Sequence, residues 1–100
     1  MLTLQRFRSF KGKFAGAIFA ERRIPKGFPS NLAKAARRKL VQLNAAAVLG
    51  DLAAPPRNRL EPLKGDRQGC HSIRITNRWR VVFRWAEFGP EDVEIVDYHS

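Results

Sequence analysis

The sequence predicts an α+β domain in which two N-terminal helices pack on one face of a small antiparallel sheet. Two observations support this prediction. Apolar residues recur at helical spacing in the first half of the chain, and they alternate with polar residues at period two in the second half. Helices followed by strands in this order are typical of the α+β class. With 100 residues, the chain has the size of one small domain, and we expect a single domain over residues 1–100.

The first helical segment follows a short opening stretch. Met1–Phe7 has alternating leucines, which predict a brief first strand. Ser9 can cap a helix that runs to about Glu21. Apolar side chains fall at four-residue spacing on one face of this helix, at Phe10, Phe14 and Ile18.

The second predicted helix begins at Ser30 or Asn31, either of which can cap it, and ends near Leu43. Its buried stripe would be Leu32, Ala36, Leu40 and Leu43. Its outward face would carry Lys34, Arg37, Arg38 and Gln42. That basic face is either a solvated surface or one that follows RNA phosphates. A loose helical turn from Asn44 to Leu52 should then bury Val48, Leu49 and Leu52.

A glycine-flanked basic loop and a β-hairpin, together Leu63–Arg84, organise the second half of the chain. The apolar residues of the hairpin arms alternate with polar ones: Ile73, Ile75, Trp79, Val81, Phe83 and Trp85. A two-residue turn would set apolar residues opposite charged ones, so we favour a three-residue loop at Thr76–Arg78. Arg57–Leu63 should form an edge strand before the hairpin, and Asp92–Tyr98 the last strand.

This register predicts a basic face on the sheet. Arg74 would lie directly opposite Arg80, with Arg84 further along the same strand. Like charges across a ladder destabilise it, and a bound polyanion would offset the repulsion. The alternative is a solvated basic face without a ligand. The net charge of +10 and the isoelectric point of about 11.1 favour a polyanionic partner such as RNA, DNA or an acidic protein.

Composition also argues against several other classes of protein. Cys70 is the single cysteine, so an internal disulfide is impossible, and we expect a cytoplasmic protein. No apolar run approaches membrane-spanning length, and no membrane association is expected. His71, His99 and Cys70 lack the spacing of metal ligands. We therefore expect neither a metal nor a cofactor.

The C-terminal Asp97-Tyr98-His99 places three proton-handling side chains together. RNA can be cut without a metal if one group takes the 2′-hydroxyl proton, another protonates the leaving 5′-oxygen, and cations hold the phosphate. Lys64, Arg74 and Arg80 are candidates for those cations. The alternative is that Tyr98 is a core aromatic residue and His99 belongs to a frayed terminus.

Four stretches closely resemble the HigB toxins, a branch of the RelE/ParE superfamily of bacterial type II toxin–antitoxin systems. They are Asn58–Arg67, Ser72–Ile75, Trp79–Phe83 and Asp92–His99. Pro25–Pro29 and Ala36–Ala46 are also similar to that branch, and Met1–Glu21 matches it least. The resemblance implies a RelE-like microbial ribonuclease fold and ribosome-dependent mRNA cleavage. It also implies a helix-turn-helix HigA-type antitoxin, through which the pair would bind its own operator DNA.

Carried over residue by residue, the resemblance implies a site of five catalytic residues: Lys64, Arg80, Asp97, Tyr98 and His99. We expect Arg67, Arg74 and Arg84 to contact RNA phosphates. One departure stands out, because many relatives have histidine three residues before the lysine and this chain has Glu61. An ionised glutamate is a poor acid, so the assignment of acid and base stays open. A ParE-like gyrase inhibitor and a plain basic RNA- or ribosome-binding module are the alternatives on the same fold.

Overall fold

The computed structural model describes residues 7–54 and 56–98 and has two helices and four strands in the part it describes. They are α1 (Phe14–Phe19), α2 (Ala33–Ala45), β1 (Glu61–Pro62), β2 (Cys70–Arg74), β3 (Trp79–Ala86) and β4 (Gly89–Asp97). The sheet is antiparallel with strand order β1-β2-β3-β4. Both helices lie against it, which confirms the α+β prediction.

One hydrophobic core lies between the helices and the inner face of the sheet. Leu40 and Leu43 of α2 meet Ile73, Val81 and Phe83 of the hairpin, and all five side chains are fully buried. Aromatic rings extend the core at its other end, where the ring centroids of Phe28 and Trp79 lie 5.0 Å apart. Because the core fills the inner face of the sheet, side chains of the sheet that can contact a ligand lie on the opposite face, the open face.

The hairpin has the register predicted from its loop length. Ile73 pairs with Val81 and Arg74 with Arg80, and the Ile75 backbone N–H donates to the Trp79 carbonyl at 2.9 Å. The Thr76 hydroxyl oxygen accepts the backbone N–H groups of Arg78 and Trp79 at 3.2 and 3.1 Å. Thr76 therefore closes the three-residue loop.

The predicted first helix is wrong at its start. Ser9 does not cap it, because the Ser9 hydroxyl accepts the Asp92 backbone N–H at 2.8 Å. Phe10 instead forms a parallel bridge with Val93 of β4, and the chain turns at Gly12, with φ +71°, before the helix begins at Phe14. Pairing with β4 supplies the hydrogen bonds that a longer helix would have made. Of the predicted strand Met1–Phe7, residues 1–6 lie outside the described residues.

The second helix also begins later than predicted, at Ala33, after a 3₁₀ turn at Ser30–Leu32. No side chain caps it, so the predicted roles of Ser30 and Asn31 are wrong. Its buried stripe is confirmed at Ala36, Leu40 and Leu43, with Leu32 partly buried. Gln42 does not face solvent as expected: it is half-buried, and its side-chain oxygen accepts a hydrogen bond from Asn58.

Two connecting segments differ in part from the predictions. Val48 is 59% exposed, although Leu52 is buried as expected. The Asp51 carboxylate accepts the backbone N–H groups of Ala47 and Val48 at 2.9 and 3.2 Å, which fixes Val48 at the outer end of a 3₁₀ turn. The predicted edge strand is shortened to β1, because a 3₁₀ turn occupies Pro56–Asn58.

Candidate active site

Arg80 is the second residue of β3, close to the hairpin loop, on the face of the sheet that points away from the core. Its side chain is only 13% exposed, and its Nη1 lies 3.0 Å from Glu61 Oε1. The same nitrogen lies 3.3 Å from the hydroxyl oxygen of Ser72, which is fully buried, and 3.4 Å from the carbonyl oxygen of Arg59. Three acceptors from the first two strands and the segment before them thus hold the guanidinium in one place. A guanidinium fixed in this way is preorganised for a phosphate oxygen.

Tyr98 lies beside this guanidinium. The Cζ atom of Arg80 is 5.8 Å from the centroid of the Tyr98 ring, in a cation–π contact. The Tyr98 backbone N–H donates to the Arg78 carbonyl, which continues the pairing of β3 and β4 past Asp97. Its side chain is 39% exposed, so a substrate can reach it. Tyr98 is therefore not a core aromatic residue.

Asp97 is held by a residue that the sequence interpretation did not single out. Arg78 Nε lies 2.8 Å from Asp97 Oδ1, and Arg78 Nη2 lies 2.9 Å from Asp97 Oδ2. The hydrogen bond to Asp97 raises the pKa of the exposed Arg78 guanidinium. Both carboxylate oxygens are engaged, and this geometry suits a positioning role better than that of a free base. His99 lies outside the described residues.

The remaining predicted cations lie on the hairpin and in the loop that precedes it. Arg74 lies directly opposite it in the ladder, as predicted. Lys64 is exposed and follows the end of β1 in extended backbone, just before a 3₁₀ turn at Gly65–Arg67. Arg67 is partly neutralised, because its Nη1 lies 3.1 Å from Glu94 Oε1.

Arg84 is exposed near the far end of β3 and lies over the loop glycine Gly69. A Cβ atom at Gly69 would lie 2.6 Å from Arg84 Nη1, and the residue has φ +94°. Glycine here allows both the turn and the close approach of the arginine. The structure thus groups Arg80, Arg74 and Tyr98 closely, while Arg67 and Arg84 belong to the periphery.

Three contacts of the site were missed by sequence reasoning: the Glu61–Arg80 ion pair, the Ser72 hydroxyl and the Arg78–Asp97 pair. For Ser72 the sequence did carry a signal, because the predicted hairpin register places Ser72 on the same face of the sheet as Arg74. For Glu61 the sequence carried no such signal. Glu61 pairs with Ser72 through β1, and a two-residue strand is too short for the alternation of apolar and polar residues to predict its register.

The described residues show neither a metal-binding cluster nor a membrane span. No group of three or more histidine, cysteine or acidic residues within 7–54 and 56–98 could hold a metal ion. His71 stacks on Phe83 with ring centroids 6.2 Å apart, and Cys70 is a half-buried free thiol. No helix in this part of the chain is both long and apolar enough to cross a membrane.

Comparison with known proteins places these features in a family. A family model described as the RelE-like toxin of type II toxin–antitoxin systems, HigB, matches residues 8–99. Toxin HigB-1 of Vibrio cholerae is 36% identical over 78 residues, which are 78% of this chain and 82% of that protein. Endoribonuclease HigB of Proteus vulgaris is 30% identical over 92 residues, which are 92% of this chain and 98% of that protein.

The matched range of the family model runs from before α1 to beyond β4. It therefore includes both helices, the whole sheet and every residue of the candidate site. The motif resemblance noted in the sequence is confirmed, and the two helices on a four-stranded antiparallel sheet are those of the RelE-like fold. The chain belongs to the HigB-like family, the RelE-like toxins of type II toxin–antitoxin systems.

Proposed function

We propose that this toxin is an endoribonuclease that cleaves mRNA on the ribosome and so stops translation in the cytoplasm. The observation that supports this best is Arg80, a guanidinium held by three acceptors on the open face with Tyr98 beside it. The relative from Proteus vulgaris is named as an endoribonuclease, which supports the same reaction class. A basic face on a sheet suits a long polyanionic substrate.

The proposed reaction is attack of a ribose 2′-oxygen on the neighbouring phosphorus. The new bond joins that oxygen to phosphorus, and the bond from phosphorus to the 5′-oxygen breaks. The products are a 2′,3′-cyclic phosphate and a free 5′-hydroxyl. One group must take the 2′-hydroxyl proton, and another must give a proton to the departing 5′-oxygen.

In this scheme Arg80 and Lys64 stabilise the charge that develops on the phosphate oxygens. Arg80 is the fixed cation and Lys64 the exposed one. Tyr98 and His99 move the protons, while Asp97, engaged by Arg78, orients the end of β4. Glu61 holds Arg80 in position, since its carboxylate contacts that guanidinium directly. Arg74, Arg67 and Arg84 guide the flanking RNA backbone.

A toxin of a type II system has an antitoxin partner. We propose that the partner is a HigA-type helix-turn-helix protein and that the chain reaches operator DNA only in complex with it. Copurification of the two proteins, followed by an operator-binding assay with and without the antitoxin, tests this. Operator binding by the toxin alone would contradict it.

The cleavage proposal is tested with purified protein and mRNA, with and without programmed ribosomes. We expect cleavage only with ribosomes, and end-group analysis should find cyclic phosphate and 5′-hydroxyl termini. His99→Ala should lower the rate by about a hundredfold or more. Arg23→Ala is the control, because Arg23 is an exposed residue that pairs only with Glu21 in the described structure. Intact mRNA with retained ribosome binding would instead indicate a plain binding module.

A further inference from the structure

A second basic site lies beside the candidate active site. It is a cleft of about 360 Å³ between α2, the 3₁₀ turn at Pro56–Asn58 and the end of β2. The cleft is lined by Ala35, Arg38, Lys39, Arg57, Arg74 and Ile75. Four of these six residues are cations, which makes an anion the natural ligand.

The charge of this cleft is not balanced within the described part of the chain. The four ion pairs found there use Arg23, Arg67, Arg78 and Arg80. None of the four cleft cations is among them, and Lys39 donates its hydrogen bond to a neutral amide oxygen, that of Asn58. Burial, and then the nearby Arg38, Arg57 and Arg74, lower the pKa of Lys39. The fold thus holds like charges together at a cost that a bound anion would offset.

The cleft is built on a buried polar residue. Asn58 is fully buried, and its amide nitrogen donates to the Leu52 carbonyl at 3.1 Å and to Gln42 Oε1 at 3.3 Å. These two bonds fix the amide so that Oδ1 accepts from the Lys39 ammonium group. Lys39 therefore has a defined position within the cleft, unlike a lysine on an open surface.

Arg74 connects the cleft to the open face. It lines the cleft and is also the direct cross-strand partner of Arg80. Side chains in this relationship have Cβ atoms about 5 Å apart. A polyanion whose reacting phosphate lies at Arg80 can therefore pass Arg74 and continue into the cleft.

We infer that this cleft is a second phosphate-binding subsite, which holds a backbone phosphate of the same RNA strand, beyond the one that reacts at Arg80. The inference rests on the proposed function insofar as it takes RNA as the substrate. The guanidinium groups of Arg38 and Arg57 match the fork geometry of a phosphate. The shared Arg74 favours RNA over an acidic protein, since it makes the two basic sites one track.

The test uses the double variant Arg38→Gln/Arg57→Gln, whose two residues are exposed, so that its fold should be retained. Binding is measured by fluorescence anisotropy with 2′-O-methyl RNA, which cannot be cleaved by 2′-oxygen attack. A hexanucleotide should bind about tenfold more weakly to the variant, and its salt dependence should fall by about 0.7 in slope for each lost phosphate contact. A dinucleotide without terminal phosphates should change less than about twofold, because its single phosphate lies at Arg80 and none remains for the cleft.

The matched control is Lys11→Gln/Lys26→Gln, which removes the same charge from two exposed residues that do not line the cleft. Its hexanucleotide affinity should exceed that of the cleft variant severalfold. Equal losses in the two double variants would overturn the inference, because they would show only the general effect of net charge. The inference would also be overturned if the cleft variant lost as much affinity for the dinucleotide as for the hexanucleotide, or if it bound the hexanucleotide normally and lost affinity only for ribosomes. Weaker binding of a polyglutamate peptide with unchanged RNA binding would overturn it too.

This binding experiment does not require catalysis. A wild-type protein that fails to cut mRNA but shows the length-dependent effect would remove the nuclease proposal and leave the subsite standing. A wild-type protein that cuts mRNA, with no length-dependent effect in the cleft variant, would keep the nuclease proposal and remove the subsite.

Discussion

Arg80 in the third strand and Glu61 in the edge strand form an ion pair, with 3.0 Å between Nη1 and Oε1. The arginine side chain reaches across the intervening strand β2 and contacts the Ser72 hydroxyl on its way. The edge strand thus contributes to the site by holding a residue that belongs to another strand. This relationship assigns Glu61 a positioning role.

Glu61→Ala should lower the cleavage rate by about tenfold, because Arg80 would lose its charged partner. Glu61→Gln should retain most of the rate, since an amide oxygen can still accept from the guanidinium. The pair is partly exposed, so thermal stability should change little in either variant. Single-turnover cleavage over a range of pH checks this. If Glu61→Gln loses as much rate as Glu61→Ala and the acidic limb of the pH profile disappears, Glu61 is a base instead.

Tyr98→Phe separates the two possible roles of this residue. The ring over Arg80 is kept, whereas the hydroxyl is removed. We expect a loss of about a hundredfold in cleavage rate, within the range found for removal of a proton-transferring group. The affinity for a non-cleavable RNA should be unchanged. A variant as active as the wild type would show that only the ring matters.

The Arg78–Asp97 pair is best tested with a double-mutant cycle. If Asp97 acts through Arg78, Arg78→Ala and Asp97→Ala should each slow cleavage, and the double variant should be no slower than the worse of the two. Cleavage rates of the four proteins, with melting curves as a control for folding, check this. A large loss in Asp97→Ala beside a fully active Arg78→Ala would indicate that the carboxylate acts alone.

Lys39 should titrate below the ordinary lysine value of 10.5, owing to burial and then to the neighbouring arginines. The folded protein then binds fewer protons than the unfolded chain between the two pKa values. The free energy of unfolding should therefore rise with pH across that alkaline window, and Lys39→Met should lack this rise. NMR titration of the lysine ε-CH₂ groups measures the pKa directly. Bound hexanucleotide should raise the pKa, and an unchanged value would argue against a phosphate in the cleft.

Gly69→Ala tests the conformation of the loop. With φ +94°, alanine is strained at this position, and the free energy of unfolding should fall by about 1 kcal/mol. Gly50→Ala is the control, because a Cβ atom there meets nothing within 4 Å and its backbone is not left-handed. Denaturant unfolding of the two variants checks the difference. Equal stability would mean that the loop relaxes at no cost.

The hairpin and the position of Arg74 opposite Arg80 could be predicted, because both depend on residues that lie close together in the sequence. The alternation of Ile73 with Arg74, and of Trp79 with Arg80, fixes the faces, and a three-residue loop fixes the register. The arrangement of the N-terminal segment could not be predicted in this way. Ser9 has the chemistry of a helix cap, but its hydroxyl is used by Asp92, which is 83 residues away in sequence. Such long-range competition leaves no trace in a local pattern.

The contacts around Arg80 also depend on distant elements. Glu61 was noted as a departure from relatives, but its pairing with Arg80 requires β1 to lie beside β2 in one particular register. The cleft similarly joins α2, a 3₁₀ turn and the end of β2. Lys39 was not singled out in the sequence, since a lysine on a basic helix face looks the same whether or not a buried asparagine lies beneath it.

The measurement that tests the central claim most directly is cleavage of mRNA on programmed ribosomes by the wild type, Arg80→Ala and Arg80→Lys. Ribosome binding should be measured in parallel by cosedimentation. If Arg80 stabilises the reacting phosphate, Arg80→Ala should bind ribosomes normally and cleave at least about a hundredfold more slowly, with Arg80→Lys in between. Undiminished cleavage by Arg80→Ala would contradict the account, because the residue held by Glu61, Ser72 and Tyr98 would then have no part in the reaction.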